Sequence, residues 1–242
     1  PDCPVWLSHQ VLPEFREFER LGTTVCNAAL GPVVKRYLGN LGARLSKLGY
    51  HRPTYVMQSN GGVVSPQEAL ERPANTLFSG PSAGVIGAVS VAGLTGEENI
   101  ITLDMGGTST DVCLVRRGNV SMVYEKEIAG TPVRAPMVDV NTIGAGGGSI
   151  AWVDRGGVLA VGPKSAGADP GPICYGHGES LTVTDANVIL GRLRPRFFLG
   201  GAMSLTPQKI EPSVRRLPWT RDWPSLESLA RGVIDVVNSN ME

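Results

Sequence analysis

The chain has 242 residues, and its 22 Lys plus Arg balance its 22 Asp plus Glu, so the formal net charge is zero. That balance gives a nucleic-acid or acidic-membrane partner no electrostatic support. Hydrophobic residues make up 42%, a soluble globular composition on a chain long enough for a core of its own, with no bilayer-length apolar run and no signal-peptide pattern.

The 31 glycines and 18 prolines cluster in a few stretches and imply many special backbone turns. Four cysteines (Cys3, Cys26, Cys113, Cys174) are scattered without a Cys-x-x-Cys pair, so a zinc ribbon or redox motif is unsupported and reduced, cytoplasmic thiols are expected. The chain starts at Pro1 without methionine and stops at Glu242 inside a predicted helix. It therefore reads as an internal fragment of a longer protein.

In chain order, Glu14 to Glu19 predicts a helical turn or two, and His9 before it reads as structural or as a ligand. Residues 26–48 predict one core helix, with Leu30, Val33, Val34, Tyr37, Leu38, Leu41, Leu45 and Leu48 at helical spacing. Thr24 suits its N-cap, and Gly49 suits the position just past its end. Pro53 to Gln58 reads as a strand feeding the Ser59-Asn60-Gly61-Gly62 turn, either an ordinary turn or a ligand contact. Pro66 to Leu70 predicts a short helix. Small apolar residues from Ser82 to Leu94 predict a buried helix whose N-terminal amides face either protein or an anion.

Ile100 to Arg116 then reads as strand, glycine turn, strand, with Arg117-Gly118-Asn119 as a second turn. In the first turn, glycines let backbone N–H groups approach a phosphate closely. Thr108 and Thr110 add hydroxyls, and Asp104 and Asp111 flank the turn as carboxylates. A bare carboxylate beside a phosphate is repelled, so the functional reading places a divalent cation between them. The alternative is a β-hairpin with two structural aspartates.

After an extended path through Pro132 and Pro136, Val138 to Ile143 alternates like a strand and ends in Gly144-Ala145-Gly146-Gly147-Gly148-Ser149. A dinucleotide fingerprint requires a helix after such a loop. Here a β-hairpin is predicted over residues 150–161, so the loop suits backbone approach to a phosphate or substrate. Gly162 to Gly178 reads as a functional loop with Asp169 at its middle. Asp185 suits the N-cap of a helix over 186–193, or a catalytic or metal role. Thr206-Pro207 opens a short helix, and a last helix starts at Leu226 with Leu229, Val233, Ile234 and Val237 on one face.

The Asp104–Asp111 turn resembles the second phosphate loop of the actin, Hsp70 and sugar-kinase ATPases. Met57 to Gly62, Ser79 to Val85, Thr142 to Ile150, Ser165 to Pro172 and Thr182 to Asn187 resemble, in the same order, motifs of the hydantoinase A/5-oxoprolinase family. So do Glu19-Arg20, Thr23-Thr24 and Asn27. The resemblance implies an α/β fold of the actin-like (ribonuclease H-like) ATPase type, a mixed sheet with flanking helices, incomplete here. Residues 1–95 would end a first lobe, and residues 96–242 would carry the phosphate hairpin and glycine loop. It also implies an ATP-dependent amidohydrolase that phosphorylates the carbonyl of a cyclic amide, with ATP and Mg²⁺ or Mn²⁺ and a hydantoinase B-like partner. The fragment alone is expected to be inactive.

On that resemblance, Gly106, Gly107, Thr108, Ser109, Thr110, Gly146, Gly147 and Gly148 would bind nucleotide, and Asp104 and Asp111 the metal. Asp104, Asp111, Asp139 and Asp185 would be catalytic, and Asn60 and Asp169 would face substrate. Asn141 departs from the family, which often has histidine there. An acetone-type ATP-dependent carboxylase subunit and a non-catalytic scaffold subunit are the alternatives.

Overall fold

The computed structural model describes residues 4–242. They form two compact units, one of the described residues up to Thr102 with Cys113–Val140, the other of Leu103–Val112 with Asn141–Glu242. Strands β3 (Ile100–Met105) and β4 (Thr110–Arg116) pair with each other and carry the chain from one unit to the other. The α/β class expected from the sequence is present, as antiparallel strand pairs with flanking helices.

The first unit begins with α1 (Ser8–Val11) and α2 (Glu17–Lys47). Helix α2 starts well before the predicted residue 26, and no side chain caps it. Its end is as expected. Gly49 takes a left-handed φ of 78°, and the N–H groups of Gly49 and Tyr50 donate to the carbonyls of Ser46 and Leu45, a Schellman motif. The apolar stripe is not the buried face. Thr23, Asn27 and Gly31 are buried, while Val33 and Tyr37 are 62% and 64% exposed. The buried row is small and polar because it meets backbone and a ring. Thr23 Oγ1 accepts from Arg134 N–H (2.9 Å), Asn27 Oδ1 accepts from Ala74 N–H (3.1 Å), and a Cβ at Gly31 would lie 2.2 Å from the Trp6 ring.

The hairpin β1 (Val56–Met57)–β2 (Val63–Val64) leads to α3 (Pro66–Glu71), capped reciprocally by Ser65 and Glu68. Helix α4 (Ser79–Gly93) buries only Ser82 and Val85, so the expectation of a wholly buried helix fails. Residues β5 (Asn119–Val120), β6 (Met122–Ile128) and β7 (Thr131–Val138) follow. Pro132 and Pro136 sit in β7, which among the described residues pairs only with β6, where a missing N–H is tolerated. The strand predicted over 138–143 is divided, ending at Val138 and restarting as β8 (Asn141–Ile143) in the second unit. Val85, Cys113, Val115, Val138 and Val140 form the first unit's core.

Ser59 ties that core together. Its N–H and Oγ both donate to Asn75 O (2.6 and 2.7 Å), its Oγ accepts from Phe78 N–H (3.0 Å), and its carbonyl accepts from Ser82 Oγ and Val138 N–H (both 2.7 Å).

In the second unit, β8 pairs with the start of β4. Strands β9 (Ser149–Val153) and β10 (Leu159–Ser165) form a hairpin whose turn is capped by Asp154 Oδ1, accepting from Gly156 and Val158 N–H. Because β10 runs to Ser165, and Ile173–Tyr175 form a 3-10 turn, the loop predicted over 162–178 is more ordered than expected. Helices α5 (Val183–Ile189), α6 (Ile210–Val214) and α7 (Leu226–Met241) complete the unit. Helix α7 packs Leu229, Val233, Ile234 and Val237 into the core with Leu181, Val183 and Ile210, as its periodicity predicts. Among the described residues no helix is long and apolar enough to cross a membrane, and Cys26, Cys113 and Cys174 are free thiols.

Ser59→Ala leaves the half-buried Phe78 N–H without its acceptor. It is expected to destabilise the protein by about 2 kcal/mol, read as a lower urea midpoint at unchanged slope.

Candidate functional site

All of the candidate phosphate-binding residues fall in the second unit. Between β3 and β4, Gly106 N–H donates to Ser109 O (2.9 Å). The N–H groups of Gly107, Thr108 and Ser109 have no acceptor among the described residues. Gly107 and Thr108 are exposed, and Ser109 is half-buried.

The turn's carbonyls are engaged. Gly106 O accepts from Gly147 N–H (2.9 Å). Gly107 O accepts from Gly148 N–H (2.6 Å) and from Ser165 Oγ (3.3 Å). In a trans peptide the carbonyl and the next N–H point in opposite directions. Holding Gly106 O and Gly107 O against the glycine loop therefore turns the N–H groups of Gly107 and Thr108 away from it. Successive outward amides form an anion-binding nest.

This arrangement changes the role expected of Gly146, Gly147 and Gly148. Their N–H groups donate to Ser149 Oγ (2.8 Å), Gly106 O and Gly107 O, so none is available to a phosphate. None of the three has a left-handed φ; their lack of a side chain is needed for space. A Cβ at Gly146 would lie 2.7 Å from Ser109 N, and one at Gly148 would lie 2.8 Å from Gly107 O. The N–H groups of the loop support the turn.

Thr110 is likewise turned inward. Its side chain is 0% exposed, and Oγ1 donates to Ala145 O at 2.5 Å. The exposed Asp104 carboxylate has no hydrogen bond among the described residues, whereas Asp111 is half-buried and accepts from Thr142 Oγ1 (2.6 Å), its cross-strand partner on β8. No cluster of three metal-ligating side chains occurs among the described residues. The donor set fits Mg²⁺, which takes one or two carboxylates together with phosphate oxygens and water.

Asp185 lies elsewhere. It is 0% exposed, and its carboxylate accepts from the N–H groups of Ile173 (3.1 Å), Cys174 (2.8 Å) and Thr182 (3.0 Å) and from Thr182 Oγ1 (2.8 Å). Thr182 is the N-cap and Asp185 the third helical residue of a capping box, so α5 starts three residues earlier than predicted. Burial, and secondarily the Asp185 carboxylate, push the Cys174 thiol far above its usual range, which keeps it protonated and unreactive.

Asp169 is exposed on a loop anchored by Ala166 N–H to Gly148 O (2.8 Å). Asn60 and Asp139 belong to the first unit. Asn60 Oδ1 accepts from Gly62 N–H (2.8 Å), closing its own turn, and Asp139 is exposed, as is Asn141 at the start of β8. Sequence reasoning missed Ser165, Ser149 and Thr184. The family-like stretches Thr142 to Ile150, Ser165 to Pro172 and Thr182 to Asn187 contain all three, without marking them out.

Two outcomes test this geometry. Gly146→Ala is expected to force the two loops apart and lower nucleotide affinity at least tenfold, measured by titration calorimetry. Asp185→Asn places an amide against N–H donors, and is expected to cost about 3 kcal/mol of stability, seen as a lowered melting temperature.

Residues 20–242 match the family model described as hydantoinase/oxoprolinase. The chain is 42% identical over 242 residues to caprolactamase subunit alpha of Pseudomonas jessenii, covering 100% of this chain and 35% of that protein. It superimposes on the nucleotide-free structure of acetone carboxylase, from work on the mechanism of ATP-dependent acetone carboxylation, with a TM-score of 0.85 at 31% identity, covering 97% of this chain and 33% of that one. The crystal structure of the ATP-dependent caprolactamase from Pseudomonas jessenii gives a TM-score of 0.78 at 41% identity, over 100% and 35% of the two chains. This chain thus spans about a third of the length of these relatives. On its sequence, and on a fold shared along nearly its whole length, the chain belongs to the hydantoinase/oxoprolinase family.

Proposed function

We propose that this chain supplies the phosphate-binding part of an ATP-dependent enzyme that opens a cyclic amide. The observation that carries the reading is the outward pair of amides at Gly107 and Thr108, backed by the glycine loop and flanked by Asp104 and Asp111. The Gly107 and Thr108 amides bind phosphoryl oxygens, the exposed Thr108 hydroxyl adds a donor, and Ser109 remains a candidate beside them. Asp104 and Asp111 hold Mg²⁺ or Mn²⁺, which neutralises phosphate charge when bound.

Held there, the terminal phosphoryl group passes to the amide carbonyl oxygen, and the bond to the ADP oxygen breaks. Water then attacks the activated carbon and the C–N bond breaks, the ring nitrogen leaving as the amine and an acyl phosphate remaining; a second water hydrolyses that acyl phosphate to the carboxylate and inorganic phosphate. Asp169, exposed on the loop anchored to Gly148, is the candidate substrate contact in this unit. Asn60 and Asp139 remain candidates from the first unit. The subunit name of the caprolactamase relative supports a partner subunit, for which a hydantoinase B-type chain is the candidate. Free thiols at Cys26, Cys113 and Cys174 support a reducing, cytoplasmic setting. The likeness to acetone carboxylase favours a second reading, phosphoryl transfer serving carboxylation of a ketone.

The test is ATP hydrolysis by the complete protein with its partner. A cyclic amide (hydantoin, 5-oxoproline or caprolactam) is expected to stimulate turnover. Stimulation only by acetone with bicarbonate would select the carboxylase reading, and no hydrolysis under any condition would leave a scaffold. Asp104→Asn is expected to lower kcat by about 10² or more, and EDTA to abolish turnover reversibly.

A further inference from the structure

We infer that Thr184 is a positioning residue that aims the Thr108 amide at phosphate through two peptide planes. This inference rests on the phosphate reading of the turn. Thr184 is 7% exposed, at the start of α5, and touches the second glycine loop twice. Its N–H donates to Gly147 O at 2.7 Å, and its Oγ1 donates to the same carbonyl at 2.8 Å.

That carbonyl shares a peptide unit with the N–H of Gly148. Because the unit is trans, drawing Gly147 O toward α5 turns Gly148 N–H the other way, onto Gly107 O at 2.6 Å. Gly107 O in turn shares a trans peptide with Thr108 N–H, which is left pointing away from the glycine loop. The first peptide is thus set by Thr184 and the second by the first.

The start of the relay is itself fixed. Thr182 and Asp185 cap α5 reciprocally, and the buried Asp185 carboxylate also holds the N–H groups of Ile173 and Cys174. Thr184 is therefore presented from a rigid helix end. There is no slack between Thr184 and the loop, since a Cβ at Gly147 would lie 2.8 Å from Thr184 Oγ1.

The experiment uses the complete protein with its partner subunit and MgATP, following steady-state hydrolysis and thermal melting for wild type, Thr184→Val, Thr184→Ser and Asp104→Asn. Thr184→Val is expected to raise the KM for ATP about fivefold, the effect of one lost neutral hydrogen bond, with the melting temperature little changed. Thr184→Ser is expected to restore it. A folded Thr184→Val protein with wild-type KM, beside an inactive Asp104→Asn, would overturn the relay and leave the phosphate reading standing. Wild-type turnover by Asp104→Asn would remove the phosphate reading, and the relay with it. Should Thr184→Val melt early, Gly147→Ala alone and with Thr184→Ala decides. In the relay, removing Oγ1 relieves the clash and the double variant binds ATP better than the two single losses multiply to. Simple multiplication would overturn it.

Discussion

The candidate site depends on the hydrogen bonds from Gly147 and Gly148 N–H to Gly106 and Gly107 O. Each is an ordinary backbone bond, of about 1 kcal/mol net. Their importance is directional. A turn with free carbonyls would choose among several peptide orientations, and a phosphate arriving there would have to select one. With both carbonyls held, two amides are already turned outward before any anion arrives, and the ordering cost is met by folding instead of binding. The condition for this contact is steric, because Gly146 and Gly148 face Ser109 N and Gly107 O at distances no side chain tolerates.

That steric condition explains which parts of the site were legible in the sequence. A turn of the form Asp104–Asp111 announces itself through its glycines, hydroxyls and carboxylates. A Gly-Gly-Gly run announces only that something comes close to the backbone. Whether ligand or protein comes close is a tertiary fact, and here it is protein. The same holds for Thr110, whose hydroxyl looked available in the sequence and is buried against Ala145 O. Thr184 and Ser165 reach their partners across 37 and 58 residues, a separation at which no local pattern carries information.

The helices show the same limit from another side. Periodicity marks α7 correctly because its apolar face meets other apolar elements of its own unit. On α2 it marks a face that is exposed, while the buried face is built from Thr23, Asn27 and Gly31. Those residues permit close approach and satisfy backbone groups, so they score poorly on any scale of hydrophobicity. The strand and helix order was readable; the assignment of faces required the partners.

Charge gives the site its remaining requirement. The Asp104 carboxylate is exposed and has no hydrogen bond among the described residues, and Asp111 is only half-buried. Two carboxylates beside an amide nest oppose what the nest attracts, since the same anion that the N–H groups draw in is repelled by both side chains. On the phosphate reading, a divalent cation reconciles the two, because it turns the carboxylates from a barrier into ligands. The Thr142 bond bears on this unequally. It engages an oxygen of Asp111 at 2.6 Å, fixing that carboxylate against β8, while Asp104 is left free to follow the cation. On that reading Asp111, held by Thr142, would be the fixed carboxylate of the pair and Asp104 the one that adjusts to a bound cation.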